Sequence, residues 1–117
     1  MIRIEETLVI DVIGEVDVYT ARTLSQELDP RVGYFDRIVL DLTRVEMICS
    51  SGLGVVMAAH RRMRASGGSL TLVAEPGGGV HRLLDIVGIV RGSGVPHIYD
   101  SVAEALEAAR GDAESSG

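Results

Sequence analysis

The chain contains no lysine, no asparagine and no tryptophan, and among its 117 residues there is one cysteine and one phenylalanine. Without lysine there is no Schiff-base nucleophile, no phosphate-loop lysine and no Ser-Lys pair. The eleven basic side chains are therefore all arginine, and 17 acids outnumber them to give a net charge of −6. That balance disfavours direct nucleic-acid binding, which needs a basic face to neutralise phosphates. The lone Cys49 can close no internal disulfide, and the stretch from Met1 to Glu6 lacks the charged and apolar regions of a signal peptide. Long apolar runs are missing too: Val55 to Ala59 and Ile86 to Val90 fall far short of the roughly 18 residues a membrane span requires. A cytoplasmic chain without membrane insertion is expected, and a binding or regulatory role is favoured over catalysis.

What is present suffices for one domain, since 46% of the residues are apolar. Ile2 to Ile4 and Leu8 to Ile13 are β-branched runs separated by Glu5-Glu6-Thr7, which predicts a hairpin-like strand pair. Ala21, Leu24 and Leu28 mark one face of a first helix that ends at Asp29-Pro30, because proline pushes its predecessor out of the α region. Arg37 to Leu42 is a continuous apolar strand of the kind buried on both sides. A second helix starts near Ser50, carries Leu53, Val56, Met57, His60 and Met63 on one stripe, and closes at Ser66-Gly67-Gly68. A strand at Ser69 to Ala74 follows, then a helix on Val80, Leu83, Leu84 and Val87 with a stop at Gly88. After a loop with Gly92 and Gly94 comes a short strand at His97 to Tyr99. A last helix, capped by Asp100 or Ser101, turns Val102, Ala105, Leu106 and Ala109 inward. The alternation predicts an α/β domain over residues 1–110, a mixed but mostly parallel sheet with about four helices packed on it and at least one antiparallel edge, and a flexible tail over 111–117.

The junction between the buried strand and the second helix, Asp41-Leu42-Thr43-Arg44-Val45 followed by Ser50-Ser51-Gly52-Leu53-Gly54, is where chemistry would sit. Free N–H groups and the positive dipole end of a helix favour an anion there, and a serine can act as a cap or, once phosphorylated, as a charged switch. This pair of motifs resembles the signature of the bacterial STAS-domain anti-sigma factor antagonists. Gly14-Glu15-Val16-Asp17 with Thr20-Ala21, Arg82 to Gly88, and Ile98-Tyr99-Asp100-Ser101 resemble further stretches of that family in the same order, so the likeness spans about residues 2–110.

The resemblance implies a non-enzymatic partner-switching protein of transcription regulation. It would bind an anti-sigma factor that is also a serine kinase, release the sigma factor, and be switched off by phosphorylation of Ser50, with Ser51 as the fallback. A serine phosphatase would restore binding. Asp17, Thr20, Cys49, Ser51, Gly52, Val55 and Arg62 would form the docking surface. No metal or cofactor is implied. The family usually has an acidic residue where this chain has Cys49. A phosphate adds about −1.5 to −2 charges, and its repulsion by Asp17 would weaken a complex on the order of a hundredfold. Alternatives are a STAS scaffold or accessory subunit of another complex, stressosome-like or lipid-transporting, and a small-ligand sensor using the groove near Asp17 and Ser50.

Other signals are weaker. Gly77 and Gly79 start a dinucleotide-loop pattern whose third glycine is Arg82. His60, His81 and His97 lack metal-ligand spacing and read as surface or partly buried residues. Arg61, Arg62 and Arg64 make a short basic patch. Cys49, at a helix start, reads as a small packing residue, or as a redox-sensitive thiol if the helix lowers its pKa.

Overall fold

The computed structural model describes residues 7–91 and 96–115. Among them are four strands and four helices in strict alternation: β1 (Thr7–Val16), α1 (Val18–Leu28), β2 (Arg37–Ile48), α2 (Ser50–Ala65), β3 (Ser69–Val73), α3 (Gly79–Arg91), β4 (His97–Tyr99) and α4 (Val102–Ser115). The strands lie in chain order, and every pairing among the described residues is parallel. The expected antiparallel partner, Ile2 to Ile4, lies outside the described residues, as does the loop at Gly92 and Gly94.

Parallel neighbours joined through helices put three helices on one face. Ala21, Leu24 and Leu28 of α1, Val56 and Met63 of α2, and Val80 and Leu84 of α3 share one core with Ile38, Leu40, Leu70 and Leu72 of the sheet. Each of the Val, Leu, Ile and Met side chains taken out of water contributes about 1.5–3 kcal/mol. The opposite face is covered by α4, where Ala105 and Val102 meet Val39, Val73 and Tyr99. That explains why Ile38, Val39 and Leu40 are all buried: residues of both parities find cover. β1 lies outside the α4 cluster, and its exposure alternates along its length.

Three expectations are corrected. The central strand does not stop at Leu42 but runs six residues further, to Ile48. α3 does not stop at Gly88; it continues to Arg91, since one glycine costs a helix only about 1 kcal/mol. Leu106 is exposed instead of inward-facing, whereas Ala105 is buried; Ala109 falls outside the described side chains. Ser101 caps α4, its hydroxyl oxygen accepting the Glu104 N–H at 3.2 Å.

Candidate functional site

The extension of β2 builds the site. Asp11 pairs with Asp41 but Ile13 pairs with Arg44, and Gly14 pairs with Val45 but Glu15 with Met47, so β2 holds one extra residue twice. Asp41 fixes the first of these bulges: its Oδ1 accepts the Thr43 N–H at 3.0 Å and the Thr43 hydroxyl at 2.7 Å. Each bulge resets the parity of the strand. Leu42, Val45 and Ile48 therefore all reach the core at a spacing of three, where a regular strand would allow only two. Met47 is delivered to the outside.

β1 and β2 then end side by side, with Val16 paired to Ile48, and one residue later each chain enters a helix. At α1 the N-cap is Asp17. Its Oδ1 accepts the Tyr19 N–H at 3.0 Å and the Thr20 N–H at 2.9 Å, while Thr20 Oγ1 accepts the Asp17 N–H at 2.7 Å. The one proton of the Thr20 hydroxyl is shared between the Glu15 carbonyl at 2.9 Å and Asp17 Oδ1 at 3.0 Å. This reciprocal capping box leaves two orphan donors of the helix satisfied. The Thr20 backbone N–H, then the Thr20 hydroxyl, then the Tyr19 N–H hold the Asp17 carboxyl below its ordinary value of 3.8, so it is ionised at neutral pH.

At α2 the N-cap is Cys49, whose side chain makes no capping hydrogen bond. The entry is held by backbone instead: the Cys49 N–H donates to the Val16 carbonyl at 2.9 Å, and the Cys49 carbonyl accepts the Leu53 N–H at 3.0 Å. Ser50 and Ser51 are the first two residues of the helix, and both are exposed. The same bond between Cys49 and Val16 sets Asp17 and Ser50 at one end of the sheet, each one residue after a bonded partner.

The residues expected on the docking surface divide. Asp17, Thr20, Cys49, Ser50 and Ser51 are brought together at this end. Gly52 is there as well, but buried beneath the first turn. Val55 is half-buried against the core. Arg62 stands about 18 Å along the helix from Ser50, where its guanidinium bonds Asp29 at 2.7 Å and ties α2 to α1. Three residues escaped the sequence reading: Val18 is 63% exposed, Tyr19 84% and Met47 52%, all within three residues of the bond between Cys49 and Val16. Val18 shares a helical stripe with Ala21 yet is exposed, as the first residue of α1. The only signal for Tyr19 was an aromatic off that stripe, and Met47 could not be placed without knowing the bulges.

A cavity of about 90 Å³ lies between Leu42, Val45 and Glu46 of β2 and Gly78 to His81 at the start of α3; neither Asp17 nor Ser50 lines it. His81 Nδ1 is 3.2 Å from Asp85. No helix of the described residues is long and apolar enough to cross a membrane.

The STAS domain family model matches residues 1–105. The anti-sigma F factor antagonist of Paenibacillus polymyxa is 31% identical over 101 residues, covering 85% of this chain and 83% of its own. The anti-sigma-B factor antagonist of Bacillus subtilis is 32% identical over 87 residues, 73% of this chain and 77% of its own. Among solved structures, an anti-sigma factor antagonist from Mycobacterium paratuberculosis superposes with a TM-score of 0.75 at 28% identity, covering 89% of this chain and 86% of that one. With a STAS model spanning most of its length and relatives above 30% identity over the same region, the chain belongs to the STAS-domain family of anti-sigma factor antagonists.

Proposed function

We propose that this chain binds an anti-sigma factor that is also a serine kinase, and that phosphorylation of Ser50 ends the complex while a serine phosphatase restores it. The chain is then ligand and substrate, and the kinase supplies the chemistry. The observation that carries this reading is the open first turn of α2: two exposed serines on a helix start that no side chain caps, beside the ionised Asp17.

The arrangement separates what a phosphate does to the fold from what it does to a complex. On Ser50 the dianion would sit at a helix N-terminus, where the dipole and the N–H groups without helical acceptors favour negative charge. The fold tolerates it. A partner that covers the exposed apolar side chains Val18, Tyr19 and Met47 would have to strip water from the same dianion, with Asp17 adding repulsion. Binding is lost although the domain stays folded.

The test is incubation with the anti-sigma factor kinases of the producing organism and ATP, followed by intact-mass measurement. One added phosphate, lost in Ser50→Ala and kept in Ser51→Ala, is the expected result. Loss in Ser51→Ala alone would move the acceptor to Ser51. No added phosphate with retained partner binding would replace the switch by a scaffold role.

A further inference from the structure

We infer that Gly52 is a positioning residue, whose missing side chain lets the first turn of α2 press onto the ends of β1 and β2 and so fixes how Ser50 is presented; this rests on the reading of Ser50 as the phosphoacceptor. A Cβ built on Gly52 would lie 2.6 Å from Val16 Cγ1 and 2.9 Å from Ile48 Cγ1. Both distances are shorter than packed carbon atoms tolerate. Neither neighbour yields easily. Val16 is 2% exposed and Ile48 5%, they are directly paired across β1 and β2, and each is β-branched with a stiff first torsion. The Val16 carbonyl also receives the Cys49 N–H, so the atom that blocks a side chain at position 52 belongs to the residue that anchors the helix entry. Any side chain at 52 must therefore lift the first turn, and with it Ser50, or strain that bond.

Gly52 was expected among the residues that meet a partner, but it is buried and has no side chain to offer one. Its contribution is a distance. The neighbouring Gly54 provides the control, because a Cβ there meets nothing within 4 Å.

The experiment compares wild type, Gly52→Ala, Val16→Ala, the double variant Val16→Ala with Gly52→Ala, and Gly54→Ala. Two readouts are taken from each: amide hydrogen exchange at Cys49, and kcat/KM for phosphate transfer to Ser50 from an anti-sigma factor kinase of the producing organism. Gly52→Ala is expected to speed Cys49 exchange and to lower kcat/KM by about tenfold or more, since displacements near 1 Å cost up to about a hundredfold in transfer reactions. The double variant is expected to match Val16→Ala in both, because the nearer obstructing methyl is gone and the space it leaves beside the paired Ile48 lets that side chain shift off its own contact without leaving its rotamer. Gly54→Ala should match wild type in Cys49 exchange. Unchanged kcat/KM in Gly52→Ala, or a double variant no better than Gly52→Ala, overturns the proposal. If Gly52→Ala does not fold, the double variant against Val16→Ala alone decides: equal rates support it and a further loss overturns it. If wild type accepts no phosphate, the phosphoacceptor reading falls by itself. The Kd for the same kinase then replaces kcat/KM, with about tenfold weakening in Gly52→Ala supporting the positioning role and an equal Kd overturning it.

Discussion

The two helices that start where β1 and β2 end are built in opposite ways. α1 is closed by its own side chains, with Asp17 and Thr20 exchanging hydrogen bonds around its first turn. α2 has an extended N-cap, Cys49, that offers no such bond, and its entry is held by a backbone bond to Val16 and by the close seat of Gly52. A capping box satisfies donors locally and makes a helix start insensitive to what approaches it. A start fixed by packing from below keeps its upper surface, here Ser50 and Ser51, free to take a charge. One entry is thus chemically complete and the other is left open, and the open one carries the serines.

The strongest way to break this contrast is to add charge to the open entry. Phosphorylated Ser50 should bind the anti-sigma factor about a hundredfold more weakly than the unmodified chain, while Ser50→Asp, with one charge in place of about two, should lose about tenfold. Thermal unfolding should show the Ser50→Asp domain as stable as wild type or slightly more so, since an acid in the first turn of a helix is favourable. Equal affinity of both forms would detach the helix start from the switch.

Next comes the closed entry. Asp17→Ala removes the acceptor for two backbone N–H groups and should lower the melting temperature by several degrees, whereas Asp17→Asn keeps a capping oxygen and should retain most of the stability. Because the folded-state pKa of Asp17 lies below 3.8, its ionic contribution is whole above that value and is lost as pH falls through the folded-state pKa. An acid titration of stability should therefore be flatter in Asp17→Asn than in wild type below pH 3.8. Parallel curves would show that the carboxylate charge does not matter to the cap.

A smaller effect is expected from giving α2 the cap it lacks. Cys49→Ser places a hydroxyl where the backbone is already extended, at φ −85° and ψ 173°, and should raise stability by about 1 kcal/mol in urea denaturation. The same change is expected to slow phosphate transfer, since a capping side chain competes for the N–H groups that would receive the phosphate. Faster transfer would mean that orientation by a polar neighbour outweighs an open first turn.

How much of this was legible depends on whether the cause was local. The start of α2 and the ends of α1 and α2 were, because the Ser50-Ser51 pair, Pro30 and the glycines after Ser66 act on their own backbone, whereas Gly88 did not end α3. The path of β2 beyond Leu42 was not. Its core spacing of Leu42, Val45 and Ile48 arises from two bulges, and a bulge is a relation to β1 that no single segment displays. The motif Asp41-Leu42-Thr43 was noticed for its resemblance, but its physical role is to lock the first bulge through the Asp41 carboxylate. Reading Asp17 only as docking surface was incomplete for the same reason: its hydrogen bonds make it the N-cap of α1 as well. His60 sat on the apolar stripe of α2 in plain sight. The reading of it as surface or partly buried is corrected: it is only 7% exposed, neither ring nitrogen has a hydrogen-bond partner among the described residues, and burial, then Arg64 and Arg61, push its pKa down, which favours the neutral ring.

The smallest expected effect sharpens the contrast within α2 itself. Gly52 and Gly54 are two residues apart in one motif, yet the first faces the sheet and the second faces solvent. Gly54→Ala removes the conformational freedom of a helical glycine without meeting any atom, and should stabilise the domain by about 0.5–1 kcal/mol. Stability therefore gives no reason for glycine at this position. If partner affinity falls in Gly54→Ala while the melting temperature rises, the added methyl lies within the covered surface, and the docking face continues from Ser50 along the outer side of α2. If affinity is unchanged, the partner's reach ends at the first turn, where the open helix start and its exposed neighbours Val18, Tyr19 and Met47 must account for recognition by themselves.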